Sequence, residues 1–206
     1  MLASDQCALP IDTLDKVHHV GTLDPADRKP TSYEGSGLSV SIHPHEWMQI
    51  AKLPGYTWAI TRTDGEPLRF ISWHDLTGAQ RDHCRAWGLA QGWIAQREVF
   101  RVTWHDSELD DTVYMDCDAH SEATAEAEHR DGTLARVTAW RPTADFPDPR
   151  VDRGGDPTDV LLAHWVRLHR RDLDGIWWHD TYEPCNLSCP RGVLVHPFDR
   201  YEIVRL

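Results

Sequence analysis

The sequence predicts an α+β protein with a largely antiparallel, split sheet and about four helices. Eight or nine short segments have the composition or two-residue periodicity of strands, and only four have helical spacing. The strands do not alternate regularly with helices, as they would in a parallel α/β sheet. At 206 residues, with no shift in composition along the chain, residues 1–206 are expected to form a single domain.

The first part of the chain predicts a strand, a loop, a second strand and a helix. Residues 16–20 form a short strand that ends at the turn signal of Gly21. Residues 38–42 alternate apolar and hydroxyl side chains, which predicts a strand with one buried face and one polar face. Pro44 is tolerated in the first turn of a helix, and apolar residues at helical spacing continue that helix until Pro54.

The middle of the chain predicts strands interrupted by two helices. Residues 56–62 and 67–73 are predicted to pair as a hairpin, because Asp64-Gly65 lies at the tip between them. Periodicity and composition then predict a helix over 76–94, strands at 98–104 and 112–117, a helix at 121–130 and a strand at 133–140.

The last part predicts an exposed crossing, a helix and two strands. Residues 141–155 are rich in Pro, Asp and Gly, which favours an exposed loop. Asp156 at the cap and Pro157 in the first turn then begin the clearest helix of the chain. Apolar runs at 176–178 and 193–195 predict two further strands.

Composition excludes several classes of function. The formal net charge of −12 disfavours a duplex DNA partner, because phosphate binding needs clustered Lys and Arg. No apolar span is long enough for a membrane helix and the first ten residues do not resemble a signal peptide, so we expect a cytoplasmic protein with no membrane partner. Five irregularly spaced cysteines predict reduced thiols, including Cys185 and Cys189.

The segment between the last two predicted strands carries an unusual density of reactive side chains. A simple connection would not need them, so this is where the sequence places chemistry. The alternative is a long surface loop that closes a sheet, held by two prolines. The reactive residues of this segment are His179, Asp180, Tyr182, Glu183, Cys185, Cys189 and Arg191.

Strong catalytic motifs are missing from the sequence. It contains no phosphate-binding Gly-x-x-x-x-Gly-Lys, no Gly-x-Ser-x-Gly and no His-Glu-x-x-His. The nearest metal-like pattern is His43-Pro44-His45-Glu46, but Pro44 places it at a helix start and the spacing fixes no third ligand. We therefore expect no metal site.

Several short pieces remain. They are His19-Val20-Gly21-Thr22 at the end of the first strand, Tyr33-Glu34 in a loop, residues 37–41 on a strand, and the C-terminal loop ending at Arg191. Together they resemble an ADP-ribosyltransferase-like protein. In that family an early strand carries His-Gly-Thr or His-Gly-Ser, a following Gly-Leu and strand shape the nicotinamide pocket, and a late strand region carries a catalytic acid.

This chain departs from the family pattern at two points. Val20 separates His19 from Gly21, and no Glu stands immediately before the apolar run 193–195. The acid would then be Glu183 or Asp180.

The resemblance implies an ADP-ribosyltransferase-like fold and an enzyme that uses NAD. Such an enzyme cleaves the nicotinamide–ribose bond and transfers ADP-ribose to an acceptor. Glu183 would stabilise the cationic transition state, and Tyr33 or Tyr182 would stack on nicotinamide. His19 and Ser39 would bond the adenosine ribose or the amide, and Arg191 would hold a phosphate. We expect His19 to share one cleft with Ser39 or Ser41. The residues implied to bind the nucleotide are His19, Gly21, Thr22, Tyr33, Ser39, Ser41, Tyr182 and Arg191.

Two other functions fit the composition. An acidic, Trp-rich surface is also typical of a non-catalytic module that binds a basic protein, such as an inhibitor or an antitoxin. The abundance of His and Asp leaves a metal-dependent hydrolase as a further alternative. Convergence of Tyr33, Glu183 and His19 in one cleft would favour an enzyme over a binding module.

Overall fold

The computed structural model describes residues 8–24, 32, 34–52, 56–107, 110–183 and 188–206. Tyr33, Pro54 and Cys185, which figure in the predictions above, lie outside these residues. The described chain forms eleven strands and four helices, divided between two sheets. An α+β architecture with mostly antiparallel strands and four helices is therefore confirmed.

The strands are β1 (Ile11–Leu14), β2 (Val17–Val20), β3 (Leu38–Ser41), β4 (Thr57–Arg62), β5 (Leu68–Ser72), β6 (Ile94–Asp106), β7 (Asp111–Cys117), β8 (Thr133–Pro142), β9 (Gly175–Trp178), β10 (Arg191–Leu194) and β11 (Tyr201–Arg205). The helices are α1 (Pro44–Ala51), α2 (Gly78–Ala90), α3 (His120–Arg130) and α4 (Thr158–His169).

The larger sheet has eight strands in the order β1-β5-β9-β10-β3-β2-β4-β11. All neighbours are antiparallel except β5 and β9, which run parallel. One face of this sheet, here called the helix-covered face, carries Ile176 and Val193 and packs against α2 and α4. The opposite face carries Val40 and Trp177 in a second apolar cluster. A smaller sheet of order β7-β6-β8 packs one face on α3.

The larger sheet curls, and Asp174 contributes to holding the curl. Its carboxylate, fully buried just before β9, accepts hydrogen bonds from the Arg69 N–H (2.9 Å) and the Tyr201 hydroxyl (3.1 Å). The guanidinium groups of Arg62 (3.3 Å) and Arg200 (3.5 Å) complete the network. Strands β4 and β11 lie at one end of the sheet, and β5 lies near its other end. These bonds therefore hold together strands that are far apart in the strand order.

Helix α2 contains a glycine that brings it close to α4. A Cβ atom on Gly88 would lie only 2.5 Å from Leu161 Cδ2 on α4. Glycine normally weakens a helix interior, but here its missing side chain makes room for Leu161. At the other end of α2 a capping box between Thr77 and Gln80 satisfies the first N–H groups. The helix ends at Ala90, and the expected continuation to Ile94 is wrong because Ile94 begins β6.

The predicted hairpin between residues 56–62 and 67–73 is wrong. The tight turn does form, with the Gly65 N–H donating to the Arg62 carbonyl at 3.2 Å. However, β4 pairs with β2 and β11, whereas β5 pairs with β1 and β9. Strand β5 buries Leu68, Phe70 and Ile71 completely, and it lies between β1 and β9 in the larger sheet. The turn at Gly65 therefore carries the chain from one part of that sheet to another.

The segment 141–155 was expected to be an exposed crossing, and this expectation is only partly correct. It contains no regular strand or helix beyond the end of β8, apart from a single bridge at Val151. Nevertheless Phe146, Asp148 and Val151 are no more than 5% exposed. Phe146 and Val151 join the apolar cluster of the helix-covered face. The polar composition of the segment did not predict this burial, because two apolar side chains are enough to hold the segment against the apolar cluster.

Candidate functional site

Arg191 lies at the centre of a charged group that we call the Arg191 cluster, made of Glu34, Asp180 and Arg191. The Arg191 Nη1 atom pairs with Asp180 Oδ2, and its Nε lies 3.2 Å from Glu34 Oε1. The guanidinium carbon stands 5.2 Å from the centre of the Trp178 ring. The three charged side chains are between 14% and 19% exposed, so the cluster is shielded but still open to solvent.

Strands β9 and β10 position two members of the cluster. Arg191 is the first residue of β10, directly opposite Trp178 at the end of β9, so both side chains project from the helix-covered face. Asp180 follows Trp178 by two residues. The antiparallel register therefore brings the carboxylate and the guanidinium together at the same end of the sheet.

The loop before β3 positions Glu34 from a different direction. Asp148, buried in the segment 141–155, accepts hydrogen bonds from the backbone N–H (2.8 Å) and the hydroxyl of Ser36. The Ser32 N–H donates to the Arg150 carbonyl at 2.7 Å, and the Ser32 hydroxyl donates to Glu34 Oε2 at 2.8 Å. The docked segment thus holds the loop that presents Glu34.

Two more titratable side chains surround the cluster. His74 Nε2 lies 3.4 Å from Asp180 Oδ1. Asp159 stands in the first turn of α4, where desolvation raises its pKa to about 7. The nearby charge of Glu34 acts in the same direction, while the hydrogen bond from the Val160 N–H and the charge of Arg191 oppose it. A carboxyl group with a raised pKa therefore lies beside the Arg191 cluster, and raised carboxyl pKa values are typical of acid–base chemistry.

His19 is not placed in a cleft with the side chains of Ser39 and Ser41, so that expectation is wrong. His18 pairs directly with Ser41, and successive side chains of a strand point to opposite faces. The His19 ring therefore lies on the face opposite to both serine side chains. Its Nδ1 is 2.7 Å from the Ser39 carbonyl and its Nε2 is 3.0 Å from the Thr22 carbonyl. These bonds fasten the backbone at the end of β2.

Gly21 and Thr22 form the turn that follows β2. Gly21 adopts a φ of 114°, which favours glycine. Its N–H donates to the Tyr56 carbonyl at 2.9 Å, and its carbonyl accepts from Trp58 Nε1 at 2.8 Å. The Thr22 hydroxyl accepts from the Asp24 N–H at 3.1 Å. The two residues thus have a structural role that accounts for their identity.

Ser39 and Ser41 lie on the same face as Arg191, through the pairing of β3 with β10. Ser41 is fully buried, and its hydroxyl donates to the Pro190 carbonyl at 2.5 Å and accepts from the His43 N–H at 3.0 Å. It thus ties the end of β3 to the loop before β10. Cys189, beside it, is a buried free thiol, as expected. Ser39 lies opposite Val193, which is two residues along β10 from Arg191.

The remaining predicted site residues belong to the loop between β9 and β10. The Tyr182 hydroxyl donates to Gln49 Oε1 of α1 at 2.6 Å, and the ring is 36% exposed. The backbone of Glu183 exchanges two hydrogen bonds with Ser188, at 2.8 and 3.1 Å. Tyr33 lies outside the described residues. The predicted convergence of Tyr33, Glu183 and His19 therefore stays a prediction.

Sequence reasoning did not select Asp159 or His74, and a repeated tripeptide could have pointed to His74. Trp-His-Asp occurs at 73–75, 104–106 and 178–180. Because β5 and β9 are parallel and pair Ser72 with Trp177, the first and third copies leave the sheet side by side. His74 of the first copy thereby meets Asp180 of the third. Asp159 gave no such signal, because an acidic residue in a first helical turn is usually explained by the helix dipole.

Three further observations concern the described residues as a whole. None of their His, Cys, Asp and Glu side chains form a group of three or more arranged to hold a metal ion. None of their helices is long and apolar enough to cross a membrane. Comparisons of the chain with protein-family models, with curated proteins and with solved structures return no match.

Proposed function

We propose that this chain is an ADP-ribosyltransferase-like enzyme with the Arg191 cluster as its active centre. It would bind NAD, cleave the nicotinamide–ribose bond and transfer ADP-ribose to an acceptor. The observation that carries the proposal is one partly exposed guanidinium held between two carboxylates from separate segments. Ser39, Ser41 and Arg191 lie on one face of the neighbouring strands β3 and β10, whereas His19 lies on the opposite face of β2 and is not part of the proposed centre.

The reaction needs two kinds of group, and the cluster contains both. A guanidinium binds phosphate oxygens through charged, directional hydrogen bonds. A carboxylate near the ribose stabilises the positive charge that develops as nicotinamide leaves. In the free protein Arg191 is engaged by Glu34 and Asp180. A diphosphate that binds Arg191 would compete with these carboxylates and leave one of them free to face the ribose.

The cluster favours Glu34 and Asp180 as the acids over Glu183, which the sequence had suggested. Both are within ion-pair distance of Arg191. The backbone of Glu183 is hydrogen-bonded within the loop. Because the sequence named Glu183 as the acid, its substitution is compared with those of Glu34 and Asp180.

The experiment combines calorimetric titration with NAD and an assay of nicotinamide release. Glu34→Gln and Asp180→Asn keep side-chain size but remove charge, so we expect at least one to abolish release while NAD affinity is retained. Arg191→Ala should weaken NAD binding by about 1.5–3 kcal/mol through loss of a charged hydrogen bond. Glu183→Gln serves as the matched control and should keep activity.

Two outcomes would change the proposal. If Glu183→Gln alone abolishes release, the fold resemblance stands but the catalytic acid is Glu183 rather than Glu34 or Asp180. If the wild-type protein neither binds NAD nor releases nicotinamide, the enzyme proposal is wrong.

A further inference from the structure

Strand β8 presents the longest sheet edge among the described residues. The edge strands β1, β11 and β7 have four, five and seven residues, whereas β8 has ten. Within the described ranges, no strand pairs with the side of β8 that faces away from β6. Proteins commonly protect such edges by shortening them or by placing lysine or proline along them. In β8 lysine does not occur and proline occurs only as the last residue.

The two charged side chains of β8 do not protect this edge either. Arg136 Nη1 lies 3.1 Å from Glu98 Oε1, and its guanidinium stands over the Phe100 ring at 5.4 Å. Arg141 Nη2 lies 3.1 Å from Asp116 Oδ2, and its side chain is 4% exposed. Glu98 and Phe100 belong to β6, and Asp116 belongs to β7 beyond it. Both arginines therefore reach back over their own sheet and leave the edge uncharged.

We propose that β8 pairs antiparallel with β8 of a second copy of this chain, with Val137 on the twofold axis. The two three-stranded sheets would then join into one continuous sheet. The strand is self-complementary about Val137, because small residues face small residues and like charges are not opposed. In this register Ala135 faces Ala139 of the second copy, Arg136 faces Thr138, and Leu134 faces Trp140.

The register follows from the side chains. Centring the pair on Arg136 would place two guanidinium groups directly opposite each other, which is unfavourable in a sheet. Centring it on Val137 brings the exposed Ala135 and the 36% exposed Leu134 into contact with a partner. A contact made mainly by one pair of strands buries less than the roughly 1,200 Å² of a standard interface. We therefore expect reversible association that increases with protein concentration.

Sedimentation velocity over a wide range of concentration tests this pairing. Wild-type protein should shift from monomer to dimer. Ala135→Lys combined with Ala139→Lys opposes two ammonium groups at both ends of the register, and should keep the protein monomeric. Ala135→Lys combined with Ala139→Glu opposes an ammonium and a carboxylate instead, and should restore the dimer.

The control is Thr112→Lys, an exposed position on β7 at the other edge of the same sheet, which should dimerise like the wild type. Circular dichroism and unfolding midpoints establish that every variant is folded. A wild-type protein that stays monomeric at all concentrations overturns the proposal, as does a folded like-charge variant that still dimerises. Loss of the dimer in Thr112→Lys would also overturn it, because association would then involve the β7 edge. None of these positions touches the Arg191 cluster, so the result is independent of the proposed enzyme.

Discussion

Asp174 and Arg191 are each the centre of a charged network, but the ratio of acidic to basic groups around the two centres is opposite. Asp174 is one fully buried carboxylate that meets two guanidinium groups, a phenol and a backbone N–H. Arg191 is one partly exposed guanidinium that meets two carboxylates. The first network is closed and holds strands together. The second has a surplus of negative groups and access to solvent, so its cation can exchange partners.

This difference teaches how a structural network can be told from a candidate site. Breaking a buried ion pair leaves an uncompensated charge in a medium that cannot solvate it. Breaking a partly exposed pair costs little because water replaces the partner. Stability measurements on matched substitutions should therefore separate the two networks.

The largest effect is expected for Asp174→Asn. The change keeps the size of the side chain but removes the buried counter-charge that Arg62 and Arg200 share, and Arg62 keeps only its ion pair with Asp64. We expect a loss of about 3–5 kcal/mol in the free energy of unfolding, measured by urea denaturation. Asp172→Asn is the control, since Asp172 pairs with Arg170 at the surface, and should cost less than about 1 kcal/mol. Equal losses in the two variants would contradict the structural role of Asp174.

The next effect concerns Asp159 and depends on pH. Its folded-state pKa of about 7 lies above the ordinary 3.8, so the folded protein holds this proton more tightly than the unfolded chain does. Stability is then lost as the pH rises from about 4 through about 7. Asp159→Asn removes the titrating group, and its stability relative to wild type should rise by more than ~1 kcal/mol over that interval. Parallel pH profiles of the two proteins would contradict this.

A smaller effect is expected for Tyr201→Phe. The substitution removes one hydrogen bond to Asp174 but leaves both guanidinium groups in place. A buried hydrogen bond to a charged group contributes about 1.5–3 kcal/mol. Because Arg62 and Arg200 still neutralise Asp174, we expect a smaller loss of ~1 kcal/mol in the free energy of unfolding, measured by thermal unfolding. A loss as large as that of Asp174→Asn would show that the phenol, rather than the charges, dominates the network.

The smallest change in stability is expected for Arg191→Gln. The substitution removes a cation whose two carboxylate partners keep some access to solvent, so the free energy of unfolding should fall by about 1 kcal/mol or less. NAD titration of the same preparation should nevertheless show weakened binding. A variant that unfolds readily would place Arg191 with the structural networks instead.

The elements that were predicted correctly are those set by local chain chemistry. Strand β3 follows from alternating apolar and hydroxyl residues. Helix α4 forms where the Asp-Pro signal predicted it, although its N-cap is Pro157 and not Asp156. The sequence also named Arg191, the cation of the candidate site, from its loop, and its part in binding stays a prediction. Each of these depends on a few consecutive residues.

The elements that were missed depend on distant parts of the chain. The turn at Gly65 was correct, but β5 pairs with β1 and with the distant strand β9 rather than with β4. Strand β1 has the sequence Ile-Asp-Thr-Leu, which does not alternate apolar and polar residues as β3 does. The position of Glu34 beside Arg191 depends on Asp148, more than a hundred residues later. Such contacts leave no mark in a local sequence pattern.

The close approach of α2 to α4 at Gly88 also limits how this sequence can drift. A methyl group at position 88 would meet Leu161 Cδ2 at 2.5 Å and Cδ1 at 2.9 Å, and both are ends of one flexible side chain. Substitution of Gly88 is therefore tolerable only where the side chain at position 161 becomes smaller or turns away. In homologous sequences, these two positions should covary, with a larger residue on α2 accompanied by a smaller one on α4.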